Sequence, residues 1–140
     1  MKKSFHFISA GLLLILILIP SCREDIISPG NSAGNVNQPV ILKSGLSYTF
    51  LINAENISTS FKDFSGLSST RSHLLLSLDD YSQGNANIFI FDYSNQLLYN
   101  QLLKENVELT TISLAGRTPD IISISFSNFT GKLKVQVYSN

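Results

Sequence analysis

The chain has 140 residues, with 10 Lys+Arg against 10 Asp+Glu, two His, one Cys, one Met and no Trp. That length suits a single domain of the usual ~100–200 residues. Charged residues make up 14%, well under the roughly 25% of an average soluble protein, which argues against a disordered charged chain and against a nucleic-acid binder with a phosphate-neutralising face. A lone cysteine forms no internal disulfide and excludes a Cys-rich zinc site.

In chain order, Lys2 and Lys3 open a positive start, and Leu12 to Ile19 form an unbroken apolar run of eight residues. A bilayer-spanning helix takes about 18–20 apolar residues, so this run reads as the core of a secretory signal. Pro20 ends any helix there. Ile19-Pro20-Ser21-Cys22 resembles the lipobox of bacterial lipoproteins, with an apolar residue three places before the cysteine and a small one directly before it. The resemblance implies cleavage before Cys22, diacylation of its thiol and acylation of the new amine. Pro20 departs from the small residue most often found there. Burying each acyl methylene stabilises by about 0.8 kcal/mol, so two or three chains hold firmly where one is marginal. Removal of Lys2 and Lys3 leaves 8 − 10 = −2 as the charge of the mature chain.

Arg23-Glu24-Asp25 follows the cysteine at once. An acidic pair here is similar to the surface-export signal of lipoproteins from Bacteroidota-type Gram-negative bacteria. It implies an outer-membrane protein facing outward, with a periplasm-facing one as the alternative. From Ile26 to Pro39 the composition shifts to Ser, Pro, Gly, Asn and Gln, which buries too little surface to offset ordering entropy and reads as a flexible tether. The 17 residues Arg23 to Pro39 reach roughly 55 Å when taut. Inside them Gly30-Asn31-Ser32-Ala33-Gly34 fits G-x-S-x-G, but a nucleophile elbow needs a strand before the serine and a helix after it. Neither flank is periodic.

From Gln38 onward the period is two, the mark of half-buried strands. Leu46, Tyr48, Phe50 and Ile52 alternate with Ser47, Thr49 and Leu51, Ile122, Ile124 and Phe126 with serines, and Leu133, Val135 and Val137 with Lys132, Lys134, Gln136 and Tyr138. Leu74 to Leu76 and Ile88 to Phe91 are apolar on both faces, which suggests central or covered strands. Between Val107 and Leu114 the apolar phase slips at Thr110-Thr111, where a β-bulge is expected. Turn residues punctuate the chain at Ser44-Gly45, Gln83 to Asn85, Ser94-Asn95, Glu105-Asn106, Gly116 to Pro119 and Asn128 to Gly131. Ala54 to Ser72 reads as an extra strand around Ile57 to Phe61 followed by a loop. The expectation is an all-β, antiparallel, jelly-roll-like sandwich of about eight strands. Its rhythm from Leu46 to Tyr138 is similar to jelly-roll modules such as bacterial pre-peptidase C-terminal domains.

Little here can carry chemistry. After cleavage His73 is the one remaining histidine, without a second His or a Cys to form a catalytic set or a zinc site. Asp79 and Asp80, with Tyr81, Gln83 and Asn85, form a candidate ligand loop whose oxygens suit a hard cation such as calcium. Yet the segment departs from the D-x-[DN]-x-[DN]-G pattern, and Asp and Asn are ordinary turn residues. Asp92, Tyr93 and Asn95 form a second, similarly worded loop, suited like the first to stacking and hydrogen bonding with a sugar. The two flank one short strand and should lie at opposite ends of the sandwich. The organisation expected is a signal peptide over 1–21, a lipidated N-terminus and tether over 22–39, and a β-sandwich over 40–140. The leading reading is a lipid-anchored, non-catalytic binding or structural module meeting the membrane through its anchor and an envelope protein or glycan through its fold. No nucleic-acid partner and no cofactor beyond the lipid are expected. A carbohydrate-binding accessory module of a glycan-uptake system is second, and a small hydrolase using Asp79 or Asp80 third.

Overall fold

The computed structural model describes residues 35–139, Ala115 excepted. Cys22, the Arg23-Glu24-Asp25 motif, the signal peptide and most of the tether lie outside the described residues. Six strands are formed: β1 (Val40–Lys43), β2 (Ser47–Phe64), β3 (Ser72–Asp92), β4 (Leu97–Leu103), β5 (Val107–Ser113) and β6 (Pro119–Ser139). All pairings are antiparallel. The order is β1-β2-β6-β3-β4, with β5 also on β3.

Three strands are far longer than the usual 3–10 residues, at 18, 21 and 21. They are not straight. Phe61 follows Phe50 by 11 positions, about 36 Å along an extended strand, yet their ring centroids are 5.5 Å apart. Phe50 also meets Phe126 at 6.5 Å, although its partner across the ladder is Val135, nine residues further along β6. The sheet is therefore folded over on itself. Its crease runs through Asn56 of β2, Asp80 and Gly84 of β3 and Asn128 of β6, all with positive φ. Asn, Asp and Gly are the residues that adopt this conformation most readily.

One layer holds β1, residues 47–54, residues 131–139, residues 72–79 and β5. The other holds residues 57–64, 119–126 and 85–92, with β4 at the far edge. This is the strand order of a jelly roll with β1 added at one edge. Alternate residues of each layer point inward: Tyr48, Phe50 and Ile52, Leu74, Leu76 and Leu78, and Leu133, Val135 and Val137 from one; Ile88 and Ile90 with Ile122, Ile124 and Phe126 from the other. Each such side chain contributes about 1.5–3 kcal/mol by leaving water. At the end opposite the crease, Leu67 and Leu114 close the core.

The structure corrects the expected count of about eight strands to six. The punctuation at Gln83 to Asn85 and Asn128 to Gly131 bends β3 and β6 without ending them, because single positive-φ residues turn the corner while the ladder resumes beyond. The expected strand around Ile57 to Phe61 is present as the second half of β2, and the loop after it is residues 65–71. The bulge in β5 lies earlier than Thr110-Thr111. Val107 faces Leu78 and Thr110 faces Leu76, so the extra residue falls at Glu108-Leu109 and turns Leu109 outward. Leu46 sits in the β1–β2 turn and is exposed.

Candidate functional site

Asp79 to Asn85 lie in the crease of β3, and most of their groups are engaged. The Tyr81 ring tilts over Phe129 at 6.3 Å, and its hydroxyl donates to the Gly84 carbonyl at 2.8 Å. The Tyr81 N–H donates to Asn106 Oδ1 at 2.8 Å, tying the β4–β5 connection to the crease. Gln83 donates to Asn56 Oδ1 at 3.4 Å. Lys132 Nζ meets Asp80 Oδ2 at 2.6 Å, and Asp79 is the cross-strand neighbour of Lys132. The hydrogen bond to Asp80 and the charges of both aspartates hold the Lys132 ammonium pKa above its ordinary value.

A shallow cleft of about 280 Å³ opens beside this pair, lined by Val36, Asn53, Glu55, Asp80, Thr130 and Lys132 among others. A divalent cation at Asp80 has to displace an ammonium. Among the described residues, no group of three or more His, Cys, Asp or Glu lies together to hold a metal ion. Asn35 to Pro39, the last residues of the tether, arrive at this same end. Asn37 donates from its backbone to the Asn53 carbonyl at 2.8 Å and from its amide to the Glu55 carbonyl at 2.9 Å, and it accepts from the Glu55 N–H at 2.7 Å.

The second nominated loop lies at the other end, in the β3–β4 hairpin. Asp92 is 3% exposed and works as its clasp. Its Oδ1 accepts from the N–H groups of Ser94 and Gln96 at 2.9 and 2.8 Å, and its Oδ2 meets Arg117 Nη1 at 3.1 Å. The Gln96 backbone bond, with those from Ser94 and Arg117, lowers the Asp92 pKa against the opposing effect of burial. Asn95 supplies a positive φ to the turn. Tyr93 projects outward, 82% exposed. The structure thus separates Tyr81 from Tyr93 and leaves Tyr81 no free face-on platform. His73 is on the outer face of the first layer, stacked on Tyr138 at 5.5 Å.

A further side-chain surface lies elsewhere, on the outer face of the layer that contains β4. Three rungs cross its four strands. The first is Phe64–Ile121–Phe91–Leu97, the second Lys62–Ser123–Phe89–Asn100, the third Ser60–Ser125–Asn87–Leu102. Phe64 is 64% exposed and Leu97 54%. The Phe89 and Phe91 rings lie 6.1 Å apart and within 12° of parallel. The Asn100 amide donates to Asn87 Oδ1 at 3.1 Å and to the Ile88 carbonyl at 3.3 Å, which fixes both amides on the face. Lys62 is the one charged side chain in the three rungs. Sequence periodicity points to part of this face, since Ile88 to Phe91 is apolar on both sides and reads as a central or covered strand; β3 is central, between β6 and β4.

Comparison with protein-family models, with curated proteins and with solved structures finds no match to this chain.

Proposed function

We propose that the protein is a lipid-anchored cell-envelope lipoprotein whose β-sandwich is a non-catalytic binding or structural module. The observation that carries the binding part is the outer face of the β4 layer, where aromatic, aliphatic, Ser and Asn side chains cross four strands without a covering element among the described residues. Exposed apolar residues set among polar ones, here Phe64, Leu97 and Leu102, mark an interaction surface. The anchor rests on the lipobox-like Ile19-Pro20-Ser21-Cys22 and the acidic residues that follow it. Asn37 is bonded to Asn53 and Glu55, so the chain enters the sandwich at the creased end, the end opposite the Phe64–Leu97 rung.

The test is labelling with radioactive palmitate in cells, followed by protease shaving of intact cells carrying a C-terminally tagged chain. Label is expected on the wild type and lost with Cys22→Ala. The tag is expected to be cleaved on intact cells and protected in the Glu24→Ala/Asp25→Ala pair. Label that persists in Cys22→Ala overturns the anchor; a tag protected until lysis in the wild type overturns surface exposure and assigns the periplasmic side.

A further inference from the structure

We infer that the outer face of the β4 layer is a binding site for a neutral carbohydrate chain, with Phe89 and Phe91 as its stacking platform and Ser123, Ser125, Asn87 and Asn100 as its hydrogen-bonding groups. The inference deepens the binding-module reading and rests on it, while needing nothing from the lipid anchor.

Charge narrows the ligand first. Across twelve rung positions there is one cation, Lys62 at an edge strand, and no carboxylate. An anionic lipid, a nucleic acid or an acidic polymer calls for several Lys or Arg side chains, and a cationic ligand calls for carboxylates. An uncharged ligand fits this face. Size narrows it next. Four strands about 4.8 Å apart and eight residues at about 3.3 Å each give a flat extent of about 19 by 26 Å, which suits a narrow ligand lying along the strands. Composition argues against a second copy of the chain, since Ser is depleted at protein interfaces and Ser60, Ser123 and Ser125 all stand in the rungs.

What remains is a narrow, neutral ligand that has both an apolar surface and many hydroxyls. A pyranose ring is such an object. Its axial C–H groups carry partial positive charge and lie favourably against the electron-rich face of an aromatic ring. Its equatorial hydroxyls both donate and accept, as Ser hydroxyls and Asn amides do. Phe89 and Phe91, half-buried and with near-parallel rings 6.1 Å apart, stand at alternate positions of β3, so the ring surface they leave open follows the strand direction. The fixed Asn87–Asn100 pair offers its amides without first having to be ordered. Tyr93, in the turn that follows the first rung, is 82% exposed. The platform of Phe89 and Phe91 replaces Tyr81, whose ring and hydroxyl are already engaged.

The experiment is native affinity electrophoresis of the full-length chain in detergent, through gels holding mixed-linkage β-glucan, xylan, dextran or, as an anionic control, alginate. Retardation by at least one neutral polymer and none by alginate is expected. Ser123→Arg, which sets a long charged side chain in the middle of the face, and Phe89→Ser should each weaken retardation at least tenfold. Gln136→Arg, on the outer face of the other layer, should leave it unchanged. Thermal melting of each variant separates lost binding from lost folding, and Asn100→Ala serves if Phe89→Ser melts early. Retardation by none of the neutral polymers overturns the assignment, as does retardation that survives Ser123→Arg. Concentration-dependent dimerisation abolished by Ser123→Arg reassigns the face to a second copy, which overturns the carbohydrate and keeps the binding module. Absence of palmitate label from the wild type in cells strikes the anchor and leaves these gels unaffected.

Discussion

Asp92 shows how one side chain can look functional in sequence and be structural in the fold. Its carboxylate is matched by two backbone N–H groups and by Arg117, so its negative charge is what the hairpin needs. The folded-state pKa is lowered, so the group binds its proton less readily folded than unfolded. It therefore contributes stability that is full above the unfolded value of about 3.9 and is lost as pH falls through the lower, folded value. Asp92→Asn should melt below the wild type at pH 7, with the gap narrowing as the pH is taken down through the carboxylate range. Melting curves in a pH series measure this; a gap that stays constant with pH would show that the charge is irrelevant.

At the scale of elements, the creases decide the fold. Gly84 has φ +76° and packs so closely on β6 that an added Cβ would lie 2.2 Å from the Asn128 carbonyl oxygen. Both objections concern backbone, so neither can relax by side-chain rotation. Gly84→Ala should destabilise by about 3 kcal/mol or more, whereas Gly45→Ala, whose Cβ meets nothing within 4 Å, should stay within about 0.5 kcal/mol. Urea unfolding midpoints compare the two, and near-equal losses would refute the close packing of β3 on β6.

The creases also explain which features can be read from the residues alone. Period-two alternation locates the inward faces of β6 and of the first half of β2, because burial on one side of a pleat leaves that trace; β3, apolar on both faces, carries no such mark. Alternation does not tell a turn from a bend: Gln83-Gly84-Asn85 has turn chemistry in either case, and only the ladder on both sides distinguishes them. Phe89 and Phe91 are legible as apolar but not as half-open to solvent, since a sequence shows what a face is made of and not what lies over it. Phe64, Ile121 and Leu97 are far apart in the chain, and only register brings them into one rung. The pairing of Asp80 with Lys132 is hidden for the same reason.

The two layers of the whole molecule are made from the same three strands, so neither can be removed without unmaking the other. Unfolding should be a single transition. Amide exchange at Leu76 and Val135 in one layer, and at Ile88 and Ile124 in the other, should report one global opening free energy, and two well-separated values would contradict a shared core. A further consequence follows from the place of β6. It lies between β2 and β3 in both layers, yet it is the last strand of the described chain. Until residues 119–139 are present, β2 and β3 have no neighbour to join them, and their partners are remote in sequence, a topology that folds slowly. A chain made N-terminus first thus keeps β2 and β3 apart until residues 119–139 are delivered.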